Sequence, residues 1–111
     1  MLFRASSRYV RVSPYKLRSY VDVIRGSSVD KALAWLRICR VGRVKPIEKL
    51  VYSAYSNAKS LQKDVVMESL FIKEIRVDQG PVVKYFKPSA MGRASSQKKR
   101  LCHIDIVLES K

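Results

Sequence analysis

Cys102 and His103 are the one place in this 111-residue chain where a thiol and a base stand side by side. They fall in the run Leu101–Leu108, where Ile104, Ile106 and Leu108 alternate with His103, Asp105 and Val107, the pattern of a half-buried strand. Adjacent strand residues face opposite sides, so His103 cannot serve as base to a Cys102 nucleophile across that peptide. The nine Asp and Glu are scattered, and no His, Cys and carboxylate group has metal-ligand spacing. Gly80-Pro81 is a lone turn without the glycines of a phosphate-binding loop. No enzyme activity, metal centre or cofactor site is expected.

What the chain has in excess is positive charge. Its 23 Lys and Arg against 9 acids give +14, with a pI near 10.2. Such an excess repels itself in a compact fold and calls for a polyanion nearby. The stretch GPVVKYFKPSAMGRASSQKKR (80–100) holds Lys84, Lys87, Arg93, Lys98, Lys99 and Arg100, and residues 79–104 contain no acid. No acid precedes Asp22, while Arg4, Arg8, Arg11, Lys16 and Arg18 gather early in the chain. Arg37, Arg40, Arg43 and Lys45 make a second acid-free group. Phosphate contacts from such groups supply affinity and position without base specificity. No helix-turn-helix, zinc knuckle or RNA-recognition aromatic signature is present, so folded RNA read by shape and backbone is the expected partner.

No apolar run has signal-peptide or membrane-spanning length, and no helix segregates a basic face from a large aromatic one. The chain is expected to be soluble, in the cytoplasm or inside an organelle. Cys39 and Cys102 lack CxxC spacing and read as reduced thiols of the core.

The elements that must position this charge can be read in order. Arg8–Val12 alternates basic and apolar residues as a short strand. Ser13-Pro14 then starts a helix over about 14–25, with Leu17, Val21 and Ile24 on one face and Gly26 at its end. Ser27 or Ser28 caps a second helix, striped by Val29, Ala32, Leu33 and Leu36, that ends near Ile38–Cys39. A third spans about 42–61, with Ile47, Leu50, Val51, Ala54, Ala58 and Leu61 on one face. Leu70–Val77 and Leu101–Leu108 read as strands. Strand, three helices and two strands in one 111-residue domain imply an α+β fold. A small three-stranded antiparallel sheet packed against three helices is expected. The basic excursion at about 80–102 reads as a protruding β-hairpin with its tip at Pro88, Ser89, Ala90, Met91, Gly92, Arg93 and Ala94. Twelve residues per strand would reach ~40 Å. Such a ribbon has no second layer and needs whatever it penetrates to hold it.

SPYKLRSYVDVIRG (13–26) resembles the SPxKxRxxxDxIRG signature of the large-subunit ribosomal protein L twenty-two family. SAYSNAKS (53–60), VDQGP (77–81), GRA (92–94) and KRLCHI (99–104) resemble later blocks of that family in the same order. The resemblance spans about residues 5–109 and implies a structural constituent of the large ribosomal subunit, bacterial or organellar, monomeric within the ribosome. It implies rRNA contacts, a role in subunit assembly, and a hairpin lining the nascent-peptide tunnel beside the L four family protein. By matched position, Ser13, Lys16, Arg18, Arg25 and Gly26 would contact rRNA or shape the backbone. Gly80, Pro81, Lys84, Pro88, Gly92, Arg93, Lys99 and Arg100 would do so in the arm. Arg8, Arg11, Lys87 and Lys98 join the rRNA-binding set by charge and position. Tyr85, Ser89 and Met91 stand where the family usually has basic residues, and Gln79 where it has an acid, so the tip is less positive than the family pattern. Tyr85 could stack on a base. The competing expectation is a free nucleic-acid chaperone or architectural protein that uses the same charge without a fixed address.

Overall fold

Proline and glycine set the first helix. In the computed structural model, which describes residues 2–39, 41–88, 90–92 and 94–110, α1 runs Pro14–Ile24. Pro14 sits in its first turn and Gly26 follows its end in the left-handed region at φ 83°, where a side chain would be strained. The Gly26 N–H donates to the Ile72 carbonyl, and the Ile72 N–H to the Ser27 carbonyl. The turn after α1 is thereby tied to the sheet. The α2 helix spans Val29–Ile38, and Lys45–Leu61 forms α3 behind a short 3-10 turn at Gly42–Val44. Ser28 caps α2 by position only; its hydroxyl donates to Asp30 Oδ1 at 2.6 Å. That bond, more than anything else, holds the Asp30 carboxyl below its usual range.

The apolar stripes meet as the sequence demands. Leu17, Val21 and Ile24 of α1, the four stripe residues of α2, and Ile47, Leu50, Val51, Ala54 and Ala58 of α3 are all buried. Leu61 departs from expectation: it ends α3 at 66% exposure, one turn after the surface that covers Ala58.

Three antiparallel strands lie in the order β1-β3-β2 (β1 Leu2–Val10, β2 Leu70–Pro88, β3 Ala94–Ser110). The central strand buries Cys102, Ile104, Ile106 and Leu108 against the helices. Its neighbours must change parity to keep facing the same layer. Lys73 is the extra residue in β2, and the buried set passes from Leu70 and Ile72 to Ile75 and Val77 across it. In β1 the extra residue falls between Ser7 and Val10, where Tyr9 takes φ 57°. The first strand therefore begins six residues earlier than expected and stops at Val10, with Arg11 and Val12 already in a bend. Phe3 is its one fully buried apolar residue, with Ala5 and Val10 only partly buried against the core, so alternation alone hides the strand.

A third irregularity marks where the sheet leaves the body. Gln79 pairs with Cys102 and Val82 with Arg100, so Gly80 and Pro81 together face the single residue Leu101. A Cβ on Gly80 would lie 3.0 Å from the Leu101 carbonyl oxygen and 3.1 Å from its carbon, a closeness that only glycine permits. Beyond the bulge, Val82–Pro88 pairs residue for residue with Ala94–Arg100 as a two-stranded ribbon. Seven residues at ~3.3 Å give a reach of ~23 Å, shorter than the ~40 Å expected, because the first and last residues of 80–102 belong to the bulge and the core. The ribbon accounts for a longest dimension of 63 Å against 25 and 18 Å across. The turn follows at Ala90–Gly92, with Met91 at φ 64° and Gly92 at φ 71°. It falls within the expected tip; Ser89 and Arg93 lie outside the described residues.

Candidate nucleic-acid interface

Two cationic clefts flank the end of β1. The first is formed where the base of the arm passes the start of α1. Arg11, Ser13 and Lys16 come from the bend and helix, and Lys98, Lys99 and Arg100 from β3, around a cleft of ≈ 550 Å³. These are early and late cations of the sequence, brought together because β3 sits between β1 and β2. None of its described lining residues is acidic.

Tyr15 organises the same junction. The Arg18 guanidinium carbon lies 5.2 Å from the centre of its ring and that of Arg100 lies 6.0 Å away, both within cation–π range. Helix and arm thus share one aromatic platform that stays 62% exposed. Its sequence signal was only its place three residues before Arg18 on a helix.

Arg18 and Arg25 have further duties inside the molecule. Arg18 Nε and Nη2 donate to the Val77 carbonyl at 3.4 and 3.2 Å. Arg25 Nη2 donates to the Ile75 carbonyl at 2.9 Å, while its Nη1 donates to Asp22 Oδ1 at 2.7 Å. Both fasten α1 to β2.

Along the arm, Lys84 and Lys98 are direct cross-strand partners. Like charges in register oppose ribbon formation. Lys99 Nζ reaches to 5.5 Å from the centre of the Tyr85 ring, a diagonal contact on the other face. Lys87 pairs by backbone with Ser95. Phe86 and Met91 are 72% and 97% exposed.

The second cleft, of ≈ 620 Å³, lies between the end of β1 and the first half of α3. Arg8, Lys45 and Lys49 supply its charge. Lys49 was not foreseen, although it follows Lys45 by one helical turn. Of the expected group Arg37, Arg40, Arg43 and Lys45, two members, Arg37 and Lys45, line a neighbouring cleft together with Lys49 and Glu48. Arg37 is 3.4 Å from Glu48, Lys45 also lines the second cleft, and Arg40 lies outside the described residues.

Cys102 and His103 point to opposite faces: the thiol is buried, while the imidazole Nδ1 accepts the Tyr9 N–H at 3.1 Å. Burial pushes the Cys102 thiol up in pKa, the reverse of what a nucleophile needs. Among the described residues no helix is long and apolar enough to cross a membrane.

The described residues thus form a basic α+β body with a projecting two-stranded arm and two clefts lined by cations without acids. The sequence profile of ribosomal protein L22p/L17e matches residues 5–109. Large ribosomal subunit protein uL22 of Desulfitobacterium hafniense (strain DSM 10664 / DCB-2) is 45% identical over 97% of this chain and 94% of its own length. The protein of the same name from Clostridioides difficile (strain 630) is 43% identical over 97% and 96%. That from Myxococcus xanthus (strain DK1622) is 42% identical over 94% and 92%. The chain belongs to the ribosomal protein L22p/L17e family, whose members are structural, non-enzymatic constituents of the large ribosomal subunit.

Proposed function

We propose that this chain is a single rRNA-binding domain of the cytoplasmic large subunit. Its body grips rRNA and supports subunit assembly, and its arm lines the nascent-peptide tunnel. The observation that carries this reading is the arm itself. It is a ribbon ~23 Å long with Lys84 opposite Lys98 in register and no acid between residues 79 and 104. Such an element is weak in water and becomes favourable when phosphates neutralise the opposed ammonium groups. Arg11, Lys16, Lys98, Lys99 and Arg100 hold rRNA backbone where the arm leaves the body. Arg8, Lys84, Lys87 and Arg93 extend that contact, with Ser13 as a neutral donor. Arg18 and Arg25 contribute chiefly by holding α1 against β2, leaving their exposed faces to RNA. The turn around Met91 meets the nascent polypeptide, beside the L four family protein at the constriction.

Sedimentation of a lysate through a high-salt gradient, with and without ribonuclease, tests the address. Retention with the large subunit, lost on digestion, is the expected result. Release with loosely bound basic proteins would instead mark a free nucleic-acid chaperone.

A further inference from the structure

The cleft between β1 and α3 contains something the arm junction lacks: an exposed aromatic ring set in a strained backbone. Tyr9 is a non-glycine residue at φ 57°, in the bulge that ends β1. A side chain in that region costs about 1–2 kcal/mol and persists only where the surroundings impose it. Two contacts do so here. The Tyr9 N–H donates to His103 Nδ1, and the two rings meet edge to face with centres 5.0 Å apart. The ring is thereby fixed in place while the residue stays 63% exposed. It lines the cleft together with Arg8, Lys45 and Lys49, and the hydroxyl residues Ser7 and Ser53 complete the wall.

We infer that this cleft is a site for an unpaired RNA nucleotide: its base stacks on Tyr9 and its flanking phosphates lie against Arg8, Lys45 and Lys49. The inference rests on the rRNA-binding reading and adds to it a preference for single-stranded RNA at one place. Three cations with no described acid in the lining suit a phosphodiester chain. A fixed, exposed ring suits the face of any base. At ≈ 620 Å³ the cleft falls within the range of small-ligand sites, ~300–1,000 Å³. A duplex keeps its bases stacked inside and cannot offer a face to the ring, so single strands and loops are the class of RNA that fits. Arg8 to Ser13 also joins this cleft to the one at the arm junction, so the same strand could continue across both.

The test uses the full chain and three nucleic-acid probes, an unstructured 12-nucleotide RNA, a ribose–phosphate chain of the same length that is abasic throughout, and the fully paired duplex of the first, with an acidic 12-residue peptide as a fourth ligand. Affinities are read by fluorescence anisotropy across a salt series. Tyr9→Phe should bind all three as the parent protein does. Tyr9→Gly should keep the fold, because glycine removes the left-handed strain along with the ring. It should bind the single strand about 5- to 150-fold more weakly, the range of one base stack, with the salt slope unchanged. The abasic probe should erase that difference, and the duplex should show none. A Tyr9→Gly protein that melts like the parent and binds the single strand within twofold of it overturns the inference while leaving the rRNA reading in place. Failure of the parent to bind any RNA overturns both. Tighter binding of an acidic peptide than of the single strand, lost in Tyr9→Gly, would assign the cleft to a protein partner and overturn the RNA assignment.

Discussion

Reversing the charge of Lys98 should make the free arm more stable and the RNA complex weaker, and this opposition in sign is the sharpest consequence of the register. Lys98 lies directly across from Lys84, at the separation of ~5 Å between Cβ atoms typical of such pairs. Two unit charges ~5 Å apart in water interact by ~0.8 kcal/mol. Lys98→Glu turns that repulsion into attraction. Side-chain entropy and salt reduce the gain at this exposed position to below ~1 kcal/mol, or up to about fivefold slower amide exchange at Val83 and Tyr85. Binding moves the other way. Each phosphate contact contributes ~0.9 to the log–log salt slope, which at ~0.15 M salt amounts to about fivefold in affinity relative to 1 M. The substitution removes one such contact and draws Lys84 away from a second. Affinity for a large-subunit rRNA fragment should fall roughly 25-fold and the slope by nearly 2. Lys98→Gln should give about fivefold and a slope change near 1. Hydrogen exchange on the free protein and anisotropy against KCl measure the two halves. Loss of both stability and affinity together, or an unchanged salt slope, would show that the Lys84–Lys98 pair neither strains the free arm nor contacts phosphate.

Other consequences are as direct. Leu50 is 4% exposed within the α3 stripe, so Leu50→Asp buries an unpaired carboxylate at a cost of several kcal/mol. Against a typical domain stability of 5–15 kcal/mol, its circular-dichroism melt should lose its cooperative step. Gly80→Val drives a side chain into the Leu101 carbonyl and should cost about 1–3 kcal/mol. Amide exchange should rise first at Val82 and Arg100. Arg18→Gln loses the bonds to Val77 and the stack on Tyr15, and should lower stability by about 1 kcal/mol with less effect on the salt slope than Arg11→Gln. Burial disfavours the Cys102 thiolate, so iodoacetamide should label half-exposed Cys39 first. Cys102 should need a higher pH or unfolding.

The parts of this molecule that were legible in the sequence are those written in local chemistry. Pro14 and Gly26 bracket α1, and Val29, Ala32, Leu33 and Leu36 return at helical spacing, because capping and periodicity act within a few residues. The hairpin turn was visible for the same reason, since Gly92 and its small neighbours favour a turn, although Pro88 and Ala94, expected in the tip, form the last pair of the ribbon. The three bulges were not. An extra residue at Lys73, near Tyr9 or at Gly80-Pro81 is defined only against a partner strand, and it is what keeps Ile75 and Val77 facing the helices. Non-local contacts hid equally well. Arg18 and Arg25 look like surface cations until the carbonyls of Val77 and Ile75, 59 and 50 residues later, come alongside. The interface was legible as an excess of charge. Its division into two clefts depends on β3 lying between β1 and β2, which no composition records.

In the proposed function the arm threads rRNA and presents its turn to the nascent chain. A photo-crosslinking amino acid placed at Met91, the most exposed large hydrophobic residue among those described, tests it in assembled large subunits translating a radiolabelled peptide. Crosslinks to both the nascent peptide and rRNA are expected, those to the peptide disappearing once it is released. Crosslinks confined to solvent-side partners, or unchanged by the presence of a nascent chain, would contradict the proposed function.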